Sequence, residues 1–104
     1  MKTIKFSKHY SKLNDNQFTT IRKHKKDILD KTVKIRSPNT EFQAQCIKIE
    51  KTSIMMINFD LLKKDTDTET IIDGLRELIK HYHDLLMNDT VYVYYFEKQK
   101  RRIK

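Results

Sequence analysis

Apolar and polar positions change period along this chain, and the changes mark its elements. Ile4 and Phe6 alternate with Lys5 and Ser7, which predicts a short opening strand. His9 to Leu13 then fits one helical turn, with Tyr10 and Leu13 three apart on one side, until Asn14-Asp15-Asn16 breaks it. Thr32 to Arg36 alternates again: Val33 and Ile35 point one way and Lys34 and Arg36 the other, a half-buried strand with a basic outer face. Ser37-Pro38-Asn39-Thr40 is a turn holding the only proline.

Phe42, Ala44 and Cys46 share one phase and Ile47 and Ile49 the other, so the parity slips between Cys46 and Ile47 as it does at a β-bulge. Strand character resumes through Ile54 to Ile57, giving a long bent hairpin. Phe59 to Leu62 begins a helical turn. Leu75, Leu78, Ile79, Tyr82, Leu85 and Leu86 recur at three- and four-residue spacing, an amphipathic helix ending near Met87-Asn88. Gly74, the only glycine, is expected where one helical turn meets the next, with Asp73 at the N-terminus of the main helix. Val91 to Phe96 is apolar on both faces and reads as a central strand. Five or six short strands around one main helix, joined by short turns, predict a single small α+β domain over residues 1–97 with a curved or closed sheet, followed by a basic tail over 98–104.

Charge sharpens this picture. The net charge is +8, and residues 1–59 carry 13 Lys/Arg against 5 Asp/Glu, residues 60–89 carry 4 against 8, and residues 90–104 carry 5 against 1. Segregated basic charge suits a polyanion, most often nucleic acid; the competing reading is a general lysine excess with no specific meaning. Cys46 stands alone, so no internal disulfide is expected. No apolar run approaches the roughly 18 residues of a membrane span, and the first residues do not resemble a signal peptide. A cytoplasmic protein without membrane contact, monomeric or weakly dimeric, is the expectation.

The candidate site lies in Asn14 to Arg22. An Asn-Asp-Asn turn leads into β-branched Thr19, Thr20 and Ile21, and an extended backbone gives Thr20 and Arg22 the same face. A hydroxyl beside a guanidinium suits a phosphate or a nucleobase edge; a solvated strand end with an ordinary surface arginine is the plain alternative. Lys23, Lys25 and Lys26 follow at once. With Lys34 and Arg36 they form the expected phosphate-binding patch.

The order of these elements, the Thr-x-Arg segment and the Asp73-Gly74-Leu75 element resemble the ASCH family of the PUA-like superfamily over roughly residues 2–98. That family's Gly-x-Lys-x-x-Thr-x-Arg motif falls on Asp15 to Arg22. Thr20 and Arg22 match, while Asp15 replaces the glycine and Gln17 the lysine. The resemblance implies a small PUA-like β-barrel with a cleft for RNA or a modified nucleobase. Some bacterial members are amidohydrolases that deacylate N4-acetylcytidine with a Lys, a Thr and a Glu. By position these would be Gln17, Thr20 and Asp73, and an amide at 17 cannot act as the base. The expectation is therefore an RNA-binding module, RNA favoured over DNA, with the amidohydrolase as alternative. It also implies that Thr20, Arg22 and Asp73 line one concave surface, with Arg22 and Asp73 able to pair across it.

Other candidates are weaker. His81 and His83 are about 200° apart on a helix and cannot share a metal as an i, i+4 pair does. Cys46 belongs to a buried strand phase and reads as an inert thiol. Tyr92, Tyr94, Tyr95 and Phe96 could stack on bases, but a central strand buries such rings in its own core. No metal and no cofactor is expected.

Overall fold

A computed structural model describes residues 2–6, 10–38, 40–82 and 89–99. Its strands are β1 (Thr3–Lys5), β2 (Gln17–Arg22), β3 (Thr32–Ser37), β4 (Thr40–Ser53) and β5 (Thr90–Lys98), with helices α1 (Phe59–Thr66) and α2 (Ile71–His81). Short 3-10 turns cover Ser11–Asn14 and Ile54–Met56. His9, His83, Leu85, Leu86, the expected helix end at Met87-Asn88 and the tail from Lys100 lie outside the described residues.

The strands form one mixed sheet in the order β1-β3-β4-β5-β2. β1 runs parallel to β3, pairing Ile4 with Ile35, and the other pairs are antiparallel. The sheet is not closed by a ladder between its edge strands β1 and β2. β4 changes register against β5 between Cys46 and Lys48, where the apolar phase slips. This bulge bends the longest strand and lets it serve both neighbours.

The interior position of β5 explains its composition. Tyr94 and Phe96 join Phe18, Ile35, Ala44 and Cys46 in one buried cluster, while Val91 and Val93 join Ile21, Leu62 and Leu78 in another. Alternate residues of one strand thus serve two cores, one on each sheet face. Fully burying each of the Val, Ile, Leu and Phe side chains among them contributes about 1.5–3 kcal/mol.

Both helices start where the sequence supplies a cap. The Asn58 side chain accepts from the backbone N–H groups of Asp60 (2.9 Å) and Leu61 (3.3 Å), and Thr70 Oγ1 accepts from that of Asp73 (3.1 Å). α1 ends at Asp67, which takes the left-handed conformation at φ 58°. The described part of α2 ends at His81, where Tyr82 takes φ −133° and ψ 85°. Gly74 departs from its expected position at a joint: it lies inside α2, facing α1. A Cβ there would stand 3.1 Å from Leu62 Cγ and 3.1 Å from Thr66 Oγ1, so the missing side chain permits close packing of the helices.

Candidate functional site

The two sheet edges approach one another at a cavity of about 500 Å³. β1 and its following residue supply Lys5 and Phe6, β2 supplies Thr20 and Arg22, the first 3-10 turn supplies Lys12, and the helices supply Asp65 and Glu77. Arg22 bridges the edges: Nη2 donates to the Lys5 carbonyl at 3.1 Å, and Nε donates to Thr20 Oγ1 at 3.1 Å. The guanidinium carbon lies 5.2 Å from the Phe6 ring centroid, a cation-π contact that helps hold it between the strands.

Lys12 is the residue that sequence reasoning missed. It is only 3% exposed, although lysine is almost never buried without a partner. Its partner is Asp65, itself 5% exposed, with Nζ to Oδ1 at 2.9 Å. Thr19 Oγ1 donates to the same Oδ1 at 2.8 Å. The 3-10 turn is also tied to the end of α1 by Ser11, whose Oγ donates to Asp67 Oδ1 at 2.7 Å and whose N–H donates to Oδ2 at 3.2 Å. Phe6 and Tyr10 present their rings to Lys12 Nζ at 5.1 Å and 5.0 Å. Burial pulls the Lys12 pKa below its ordinary value, Asp65 opposes this by charge and hydrogen bond, and the more distant Arg22 adds to the lowering.

Thr20 is buried, and its Oγ1 accepts a hydrogen bond from the Arg22 guanidinium. Glu77 is held by Tyr10, whose hydroxyl donates to Oε1 at 3.0 Å. The cavity thus gathers an amine, a hydroxyl hydrogen-bonded to a guanidinium, and two carboxyl groups.

Thr20 and Arg22 lie together in the cavity, and Asp73 does not share their surface as the resemblance implied. Asp73 sits in the exposed first turn of α2, 3.8 Å from Arg76, and Arg22 makes its contacts with Thr20 and Lys5. The physical reason is the cap at Thr70: it fixes Asp73 in the first turn, while the cavity meets the next turn, where Glu77 stands. Gln17 lines a second cavity of about 320 Å³, with Thr19, Leu61 and Lys64 among its neighbours.

The predicted basic patch is divided. Lys25 and Lys26 are exposed on the loop after β2, and Lys23 is half-buried. Tyr94 ties the loop backbone down, its hydroxyl accepting from Lys26 N–H (2.6 Å) and donating to the His24 carbonyl (3.0 Å). Lys34 (3.5 Å) and Arg36 (2.9 Å) both reach Glu41, and the Arg36 hydrogen bond holds that carboxyl below its ordinary range. Cys46 is buried, and burial pushes its thiol pKa up, which keeps it unreactive. Among the described residues no group of three or more His, Cys, Asp and Glu could hold a metal ion, and no helix is long and apolar enough to cross a membrane.

The uncharacterised protein MJ0364 of Methanocaldococcus jannaschii is 32% identical to this chain over 104 aligned positions, covering 88% of the chain and 91% of the relative. The chain belongs to the family of that archaeal protein. No family profile and no solved structure matches it.

Proposed function

We propose that this protein is a small amidohydrolase of the ASCH, PUA-like kind, acting on an acylated nucleoside such as N4-acetylcytidine. The observation that carries the reading is the meeting of Lys12, Thr20 and Glu77 at one cavity, although the position of the family's motif lysine holds Gln17. The amine arrives from a different element and supplies the same chemistry. On this reading the open sheet is a PUA-like barrel whose seam between β1 and β2 is spanned by the Arg22 side chain instead of a ladder.

Thr20 Oγ1 attacks the acyl carbonyl and passes its proton to the neutral Lys12 amine. Arg22 stabilises the negative charge that develops near Oγ1. Collapse of the tetrahedral intermediate breaks the C–N bond, and the leaving nitrogen takes a proton from Glu77 or from the Lys12 ammonium. Water then hydrolyses the Thr20 ester, releasing the acid and restoring the hydroxyl. Burial favours the neutral amine that the first step needs.

Purified protein incubated with N4-acetylcytidine releases cytidine on this account, and Thr20→Ala, Lys12→Met and Glu77→Gln each reduce the rate by about 100-fold or more. Absence of product from the wild-type protein rejects the enzyme. A second reading, an RNA-binding module using the same cavity, has its own support: Arg22 runs directly into the exposed Lys25 and Lys26.

A further inference from the structure

Asp65 is a charged residue buried against the proposed site, and the mechanism above gives it no part. Its Oδ1 receives two donors from separate elements, Lys12 Nζ from the 3-10 turn at 2.9 Å and Thr19 Oγ1 from β2 at 2.8 Å. Thr19 precedes Thr20 in the same strand, so one carboxylate oxygen joins the amine to the strand that carries the nucleophile. We propose that Asp65 is the positioning residue for Lys12: its carboxylate oxygen fixes the amine beside the strand that carries Thr20, and its charge sets how readily that amine gives up its proton to become the free base. This rests on the reading of Lys12 as the base.

The surroundings of Lys12 support that division of labour. Asp65 and Asp67 face it from α1 and its cap and favour the ammonium, while burial and Arg22 from β2 favour the free amine. Tyr10 turns its ring toward Nζ, and Glu77 from α2 and Lys5 from β1 line the same cavity. Asp65 alone among these groups touches Nζ at hydrogen-bonding distance and is the strongest influence holding the charge. Thr19 draws on the same oxygen, so it moderates that hold.

The test is a pH titration of the lysine side chains by NMR, with the Lys12 signal assigned through Lys12→Met, paired with the pH profile of N4-acetylcytidine hydrolysis. Asp65→Asn lowers the Lys12 midpoint by about one unit or more, because the opposing charge is gone and the burial remains. Thr19→Val moves it upward, because Oδ1 is left to Lys12 alone. The acidic limb of kcat/KM moves with the midpoint in each variant, while KM changes little. A Lys12 midpoint that stays where it was in Thr19→Val overturns the proposal, and this holds even if Asp65→Asn fails to fold. So does a midpoint that moves while the acidic limb remains in place. If the wild-type protein releases no cytidine, the proposed reaction fails on its own, and the two opposite midpoint shifts still decide whether Asp65 holds the amine.

Discussion

Arg22 spans the gap between the two edge strands by donating to the Lys5 carbonyl at 3.1 Å while its Nε holds Thr20 Oγ1 at the same distance. One planar fork therefore does two jobs, and a lysine ammonium cannot reproduce both directions from one point. Arg22→Lys keeps the charge and is expected to lower unfolding free energy by about 1–2 kcal/mol, through loss of hydrogen bonds to a charged donor. Amide exchange in β1 and β2 should accelerate together. Unchanged urea stability and unchanged exchange at these edges would show that the bridge is incidental.

Tyr94 makes stability depend on alkaline pH. Burial raises its pKa above the ordinary value near 10, against the Lys26 N–H bond, which lowers it. The folded protein keeps the phenol proton in a range where the unfolded chain gives it up, so the stabilisation present below about pH 10 is lost as pH rises through the raised folded value. Lys12 works in the opposite direction in a neighbouring range, since its depressed folded pKa makes stability increase as pH rises toward the ordinary lysine value. Comparing Tyr94→Phe with wild type separates the two. The variant should be about 1–2 kcal/mol less stable at pH 8, where two hydrogen bonds are missing, and should lose less stability between pH 9 and 11. Parallel pH curves for the two proteins would contradict the assignment.

Several features of the fold were legible because they depend on local periodicity. The phase slip after Cys46 is written in the order of apolar residues, and the two-sided apolar run from Val91 to Phe96 specifies an interior strand. The Lys12–Asp65 pair was not legible for a definite reason. Its members are 53 positions apart, and each alone looks like a surface charge in a polar window. A trace existed for Asp65, which follows Leu61 by four and Leu62 by three and so lies on the apolar stripe of α1. Burial of Lys12 had no such local mark. The carboxyl group that α2 brings to the cavity lies one turn beyond the one the family resemblance pointed to, since the cap holds Asp73 in the first turn and Glu77 lines the cavity.

If the cavity serves RNA, the charged side chains should contribute unequally. Binding to single-stranded RNA should weaken linearly in log K against log salt, and Lys25→Gln or Lys26→Gln should each reduce the slope by about 0.7 if the lysine meets a phosphate. Lys34→Gln should alter it less, because Glu41, which lies 3.5 Å from Lys34 and 2.9 Å from Arg36, already offsets part of the charge of that pair. Glu41→Gln should strengthen binding. A salt-independent affinity, or equal losses at Lys25 and Lys34, would reject this distribution, and a matched DNA competitor measures the preference for RNA.

The packing of α1 on α2 sets the position of Asp65 and therefore reaches the site. Alanine at position 74 would favour the helix by about 1 kcal/mol in isolation. Its Cβ, however, would meet Thr66 Oγ1 at 3.1 Å and Thr68 Oγ1 at 3.3 Å. Thr66 cannot easily give way, since Oγ1 donates to the Leu62 carbonyl at 2.7 Å and bonds Thr68 Oγ1 at 2.8 Å. Overpacking of this sort costs about 1–3 kcal/mol and should outweigh the gain in propensity. Gly74→Ala is accordingly expected to destabilise the protein by about 1 kcal/mol, and Thr66→Ala in the same chain should recover part of that loss, a non-additivity that a double-mutant cycle reads directly. A stabilised Gly74→Ala variant, or strict additivity with Thr66→Ala, would mean that the helices separate without cost and that the glycine does not set their distance.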